Sequence, residues 1–268
     1  MPIKKEVIIG DCRLILGDCL EVMPLLGKVD MVLVDPPYGT TACKWDSVIS
    51  LKSMWEVMPS SEKTAVVMTA QTPFDKVLGC SNLVDLRYEW IWEKTAPTGH
   101  LNAKRMPMKA HENILVFYKS LPTYNPQRTT GHDKKVSSAY HKRNSKKAAV
   151  YGDFNASEYA STERYPRSIL TFSSDKQTES AHPTQKPVAL MEYLINTYTN
   201  AGDTVLDFTM GSGTTLVACA KMGRKGIGIE LDRDYFEIAV ERVTKAYEQP
   251  DFLREPQKAK PEQKQLEI

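Results

Sequence analysis

Nowhere in this chain of 268 residues is there a run of about eighteen apolar residues, the length that spans a bilayer. The opening Met1-Pro2-Ile3-Lys4-Lys5-Glu6 is too polar for the apolar core of a signal peptide, so a cytosolic protein is expected. Cysteine is scarce: Cys12, Cys19, Cys43, Cys80 and Cys219 are odd in number and scattered, and none forms a C-x-x-C pair. With no His/Cys cluster at zinc-finger spacing, the expectation is a reduced chain without a metal, its thiols filling the core. No internal repeat is visible.

What the chain does have is ordinary in amount and uneven in placement. Hydrophobic residues make up 41% and charged residues 25%, enough for one large α/β domain or two small ones. Formal net charge is +2, but residues 94–147 hold twelve Lys or Arg against Glu112 and Asp133. That stretch therefore carries 12 − 2 = +10, leaving −8 for the rest of the chain. Such segregation is the footprint of a polyanion-binding face or of a solvated charged loop, and the interleaved Tyr124, Tyr140 and Tyr151 favour nucleic acid.

Val29–Val34 is a short apolar run halted by Asp35-Pro36-Pro37, which reads as a buried strand that stops abruptly, since prolines cannot donate to a ladder. Ala65–Ala70 is a second buried strand; Tyr88–Trp92 and Ile114–Tyr118 are strands rich in aromatic and β-branched residues. Between about 120 and 165 the periodicity fades into a loop-rich insert. Order returns at Arg167–Phe172, and Val188–Tyr198 follows Pro187 with helical spacing of its apolar residues. Strand Thr204–Leu206, loop Gly211–Gly213, helix Thr214–Met222, strand Gly226–Ile229 and helix Asp234–Tyr247 make a βαβ unit, the mark of a parallel, doubly wound sheet. Residues 251–268, rich in Gln, Lys, Glu and Pro, read as a flexible tail.

Glycines where strand 204–206 turns into a helix let the backbone approach a ligand closely. Glu230, 17 residues after Gly213 (230 − 213), ends the next strand, where a carboxylate can accept from both ribose hydroxyls of a nucleoside. A Walker loop would need Lys, which is absent; a dinucleotide fingerprint would need a third glycine where Leu216 stands. Asp207 would repel a pyrophosphate but suits the ammonium of S-adenosylmethionine. A plain tight turn with no ligand is the alternative.

Asp35-Pro36-Pro37-Tyr38, His182-Pro183-Thr184-Gln185-Lys186-Pro187 and Asp207-Phe208-x-x-Gly211-Ser212-Gly213-Thr214-Thr215 together resemble the amino-methyltransferase family of DNA modification enzymes. The catalytic motif precedes the cofactor motif, as in the family's β class, and the resemblance spans roughly residues 10–245. It implies a doubly wound, mostly parallel Rossmann-like α/β sheet with circularly permuted motif order. The catalytic domain is then residues 1–119 and 166–250, with a basic target-recognition insert at 120–165. The implied activity is transfer of a methyl group from S-adenosylmethionine to N6 of adenine in double-stranded DNA, with the target base flipped out. N4 of cytosine is the alternative, and a nucleic-acid-binding relative without activity a third reading. Neither membrane nor metal is called for. The location implied is the cytosol of a bacterium or of a bacteriophage's host. A homodimer and a cognate restriction enzyme are compatible with the resemblance, though the sequence gives neither a signal of its own.

An exocyclic amino nitrogen is a poor nucleophile because its lone pair is delocalised into the ring. The Asp35 carboxylate and the Pro36 carbonyl can each take one of its N–H groups, favouring a tetrahedral nitrogen, while Pro36 and Pro37 hold that geometry in advance. Tyr38 offers a face for the extracted base. The cofactor set is Asp18, Asp35, Lys186, Asp207, Phe208, Gly211, Ser212, Gly213, Thr214, Thr215 and Glu230. In it, Asp18 is a contact to the cofactor's adenine by resemblance or else a helix N-cap. Lys186 meets the cofactor's carboxylate or is a solvated lysine. His111-Glu112 lines the base pocket or forms a buried hydrogen-bonded pair; Trp45 and Trp90 belong to the core. The DNA-contact candidates are Lys104, Arg105, Lys109, Lys134, Lys135, Lys142, Arg143, Lys146 and Lys147.

Overall fold

The computed structural model describes residues 1–39, 48–137, 159–173 and 185–248. Cys43, Trp45, Tyr140, Lys142, Arg143, Lys146, Lys147, Tyr151, His182, Pro183, Thr184 and the expected tail lie outside the described residues. The chain divides into two compact units, one of residues 1–125 with 168–268 and one of residues 126–167.

Among the described residues, the larger unit is built on a nine-stranded sheet. In chain order its strands are β1 Ile3–Ile9, β2 Cys12–Gly17, β3 Met31–Val34, β4 Ala65–Ala70, β5 Leu86–Thr98, β6 Lys109–Phe117, β9 Ile169–Phe172, β10 Thr204–Asp207 and β11 Lys225–Glu230. They lie side by side as β1-β2-β11-β10-β3-β4-β6-β5-β9. From β2 to β4 every pairing is parallel, with Val205 opposite Met31 and Leu206 opposite Val32 where β10 meets β3. The pairings β1–β2, β4–β6 and β6–β5 are antiparallel.

Strands β3 and β4 are buried at every residue, as two-sided coverage by helices requires. On one face Met31, Leu33, Ala65 and Val67 pack with helices α4 Val188–Tyr198, α5 Thr214–Met222 and α6 Arg233–Glu248. On the other, Val32, Val34, Val66 and Met68 pack with α1 Cys19–Val22, α2 Leu51–Val57 and α3 Phe74–Ser81. Trp90 is core, at 4% exposure, and donates its ring N–H to the Tyr198 hydroxyl. From β3 the chain crosses to β4, and from β10 it crosses the opposite way to β11. Their junction is thus the topological switch point, where open α/β sheets bind ligands beyond the strands' carboxyl ends. No described helix is long and apolar enough to cross a membrane.

Residues 120–125, expected in the insert, fall in the larger unit, where the Asn125 N–H donates to Thr197 O at 2.7 Å. Within the smaller unit, β7 Lys135–Ser137 and β8 Tyr159–Ser161 pair antiparallel inside the insert expected to be loop-rich. Arg128 joins Glu163 at 3.0 Å and sits 4.4 Å from the Tyr165 ring centroid. Long-range pairing supplies the order that local periodicity does not announce.

Candidate active site

The end of β3 delivers Asp35 to the switch point. Its Oδ1 accepts from the Tyr38 hydroxyl at 2.6 Å and from the Thr69 hydroxyl at the end of β4, the two hydroxyls lying 2.9 Å apart. Oδ2 accepts from the Lys186 ammonium at 2.7 Å. Tyr38 stacks on Phe74 with ring centroids 5.3 Å apart, and its ring centroid lies 5.4 Å from Lys186 Nζ. Burial first, then the neighbouring Asp35 and Glu112 charges, raise the Tyr38 phenol well above its ordinary range, so it remains a protonated donor.

Beside it, β10 ends at Asp207, 4% exposed. This carboxyl accepts from the Thr209 N–H at 3.1 Å and from the Thr215 hydroxyl, yet burial pushes it up to about 7. Thr209 Oγ1 donates to the Asp35 backbone oxygen at 3.1 Å, fastening the two motifs together. Glu230 at the end of β11 accepts from the Gly211 N–H and the Asp232 N–H, each at 2.8 Å. Gly213 takes φ +80°, and a Cβ there would meet Ala239 Cβ at 2.9 Å, so glycine is what lets α6 close on the loop. At Gly211, φ +51°, a Cβ would meet nothing within 4 Å.

Other expected cofactor residues have protein partners. Arg242 donates to Ser212 O, Ser212 Oγ and Thr214 Oγ1 at 2.6, 2.8 and 3.2 Å, so these hydroxyls brace the loop against α6. The Phe208 side chain, 1% exposed, lies in the core on the α1–α3 face. Asp18 caps α1, its Oδ1 accepting from the Leu20 N–H at 2.8 Å.

Lys186 is not a solvated lysine. It is 6% exposed and pairs with Asp35 at 2.7 Å and with Glu112 Oε2 at 3.2 Å. Glu112 Oε1 pairs in turn with Lys94 at 2.6 Å, and Gln71 bonds the same carboxyl. Lys94 therefore leaves the basic stretch expected to face a polyanion: its side chain is 8% exposed, paired with Glu112 and turned away from solvent. Burial pushes the Glu112 carboxyl up, but Lys186 and Lys94 outweigh it and hold the group below the usual range. Burial likewise pulls Lys186 down, and Asp35 and Glu112 overcome this to leave it raised. His111, its expected partner in a buried pair, is exposed instead.

Of the DNA-contact candidates in this unit, Lys104 and Arg105 stand exposed between β5 and β6, and exposed Lys109 reaches Gln71 Oε1 at 3.2 Å. Lys134 and Lys135 are exposed in the smaller unit. Thr69, Gln71 and Phe74 were not singled out from the sequence, and Lys94 was counted only with the basic stretch. Thr69 alone had a local sign, being the one hydroxyl in the strand Ala-Val-Val-Met-Thr-Ala. Among the described residues no group of three or more His, Cys, Asp or Glu side chains is placed to hold a metal ion.

Comparison with known proteins gives a coherent set of likenesses. The DNA methylase family model N6_N4_Mtase matches residues 29–241. Type II methyltransferase M1.MboII of Moraxella bovis is 29% identical over 237 residues, covering 79% of this chain and 88% of its own. DNA adenine methyltransferase YhdJ of Escherichia coli (strain K12) is 26% identical over 246 residues, 85% of this chain and 81% of its own. The crystal structure of an M1.HpyAVI–SAM complex shares the fold, with a TM-score of 0.61 at 23% identity, over 87% of this chain and 98% of that one.

Proposed function

The chain belongs to the DNA methylase family N6_N4_Mtase, and on that premise we propose that it transfers a methyl group from S-adenosylmethionine to N6 of adenine in double-stranded DNA. The observation that carries this reading is the bond from Thr209 Oγ1 to the Asp35 backbone, which sets the catalytic turn against the nucleoside-type loop at the switch point.

The residues present fit the cofactor. Space stands open where a Gly211 side chain would be, and Asp207 is a buried carboxyl without a cation beside it among the interactions described. Gln185 Oε1 is buried with no hydrogen-bond partner among the described residues. Asp207 would hold the ammonium, Glu230 the ribose hydroxyls, and the backbone of residues 211–213 the adenosine side. The cofactor, when bound, supplies a methyl group made electrophilic by its sulfonium.

The protein's own residues prepare the nucleophile. Oδ1 of Asp35 already accepts two hydroxyl donors, so its lone pairs are filled, whereas Oδ2 accepts only Lys186 among the described residues. Oδ2 is then the oxygen that takes one N–H of the target amine, with the Pro36 carbonyl taking the other. Phe74 supports the Tyr38 ring on which the flipped base stacks. Lys104, Arg105 and Lys109 contact phosphates, and the unit of residues 126–167 reads the target sequence, with Lys134 and Lys135 contributing charge. Reaction on genomic DNA puts the enzyme in the cytosol.

Expression in a methylation-deficient host, followed by sequencing of modified bases and nucleoside digestion, should show N6-methyladenine at one sequence motif. N4-methylcytosine instead would contradict the adenine assignment, and no modified base would contradict the activity.

The Asp207 carboxyl adds a pH signature. Its neutral form prevails below about 7, and only the anion pairs with an ammonium. Cofactor affinity should therefore rise with pH through that value, by about tenfold between roughly pH 6 and 8, and Asp207→Asn should flatten the profile. Titration by calorimetry across this range checks it; a flat wild-type profile removes Asp207 from the cofactor site.

A further inference from the structure

Four charged side chains run beneath the carboxyl edge of the sheet in alternating sign: Asp35, Lys186, Glu112, Lys94. Their contacts are 2.7, 3.2 and 2.6 Å. Lys186, Glu112 and Lys94 are at most 8% exposed, while Asp35, at 30%, is the end open to solvent. Burying ions of this kind is costly, and apolar residues of similar volume commonly serve stability as well or better. A row that is closed at Lys94 and open at the reactive carboxylate therefore calls for a role at that carboxylate.

The geometry supplies one. Lys186 stands on an irregular segment just before α4, with no strand to fix its long side chain. Glu112 stands on the β6–β5 ladder opposite Trp92, and Lys94 stands on β5 just past the last regular β5–β6 pair, where it lies opposite Phe172 of β9. Lys94 Nζ also rests 5.3 Å from the Trp92 ring centroid, so it is held between that ring and the Glu112 carboxylate. A lysine ammonium has three donors that rotate freely, and a second carboxylate on a strand limits where that ammonium can sit.

Building on the methyl-transfer reading, we propose that Glu112, held by Lys94, is a positioning residue: it fixes the Lys186 ammonium on one lone pair of Asp35 Oδ2 and leaves the other for the substrate amine. Without Glu112, Lys186 belongs to Asp35 alone, is free to swing across both lone pairs of Oδ2, and competes with the amine. The loss falls on the chemical step and not on cofactor or DNA binding.

The test is single-turnover methyl transfer to unmethylated genomic DNA, counted on whichever base accepts it. Glu112→Gln should lower the rate about tenfold with cofactor and DNA dissociation constants within about twofold. In a Lys186→Met background the same change should cost less than about twofold, because the residue through which it acts is gone. The charge-balanced Lys94→Met/Glu112→Gln pair, which removes one ion of each sign, guards against misfolding and should show the same rate loss at a nearly unchanged melting temperature. A rate within about twofold of wild type in that pair, or an equal cost of Glu112→Gln with and without Lys186, overturns the proposal. A wild-type enzyme that methylates no DNA would instead overturn the functional reading, and the wild-type arm shows which has failed.

Discussion

Asp35→Ala should abolish methyl transfer, lowering kcat by about a thousandfold or more, while cofactor affinity stays within about tenfold. The asymmetry follows from where its bonds go. Oδ1 is committed to Tyr38 and Thr69 and Oδ2 to Lys186, so the side chain is held for an incoming donor. The backbone oxygen, which ties the turn to Thr209, survives the substitution. Alanine also leaves Lys186 with Glu112 as its sole remaining carboxylate among the described pairs, pulling the ammonium away from the reaction centre. Asp35→Asn retains the shape but sets an amide in place of the carboxylate beside that ammonium, so it should restore little. Single-turnover rates and calorimetric cofactor titration, run on the same preparations, check both halves of the expectation; a fully active Asp35→Ala enzyme contradicts the assigned role.

Gly213→Val should cost about 3 kcal/mol of stability and weaken cofactor binding roughly thirtyfold or more, summing left-handed backbone strain with overpacking. At φ +80° an L side chain is strained, and the atoms that a Cβ would strike, Ala239 Cβ at 2.9 Å and Cα at 3.2 Å, belong to the body of α6 and cannot swing aside. Relief requires α6 and the loop to part, which carries the Gly211 N–H away from Glu230. Gly202, at φ +83° with nothing within 4 Å of a Cβ, is the control: Gly202→Ala should cost about 1 kcal/mol and leave cofactor binding alone. Denaturant melts with cofactor titration separate strain from clash, and equal losses in the two variants would contradict the packing argument.

The sequence announced the elements whose signal is local. Strand β4 and helices α4 and α5 have the boundaries expected from their apolar runs and periodicity. The side-by-side placement of β3 and β10, which brings the two motifs together, is a long-range pairing that neither strand's own residues announce. Edge hairpin β1–β2 was not anticipated, because Lys4, Lys5 and Glu6 face water on an edge strand and dilute its alternation. Helices α2 and α3 are seven and eight residues long, too short for a 3.6-residue period to stand out. Lys94 was counted with the basic stretch because its partner Glu112 lies across a hairpin and Lys186 lies much further along the chain. Such pairing leaves no trace in local composition, and Lys186 and Glu112 were placed among alternatives for the same reason.

Once the methylated motif is known from the host genome, a crystal structure of the enzyme with S-adenosylhomocysteine and a duplex bearing that motif tests the central claim most directly. The target amino nitrogen should lie about 3 Å from both Asp35 Oδ2 and the Pro36 carbonyl oxygen, with the cofactor sulfur over the Gly211–Gly213 loop side of the same cleft. A target amine beyond hydrogen-bond reach of Asp35, or a cofactor bound away from Asp207 and Glu230, would contradict it.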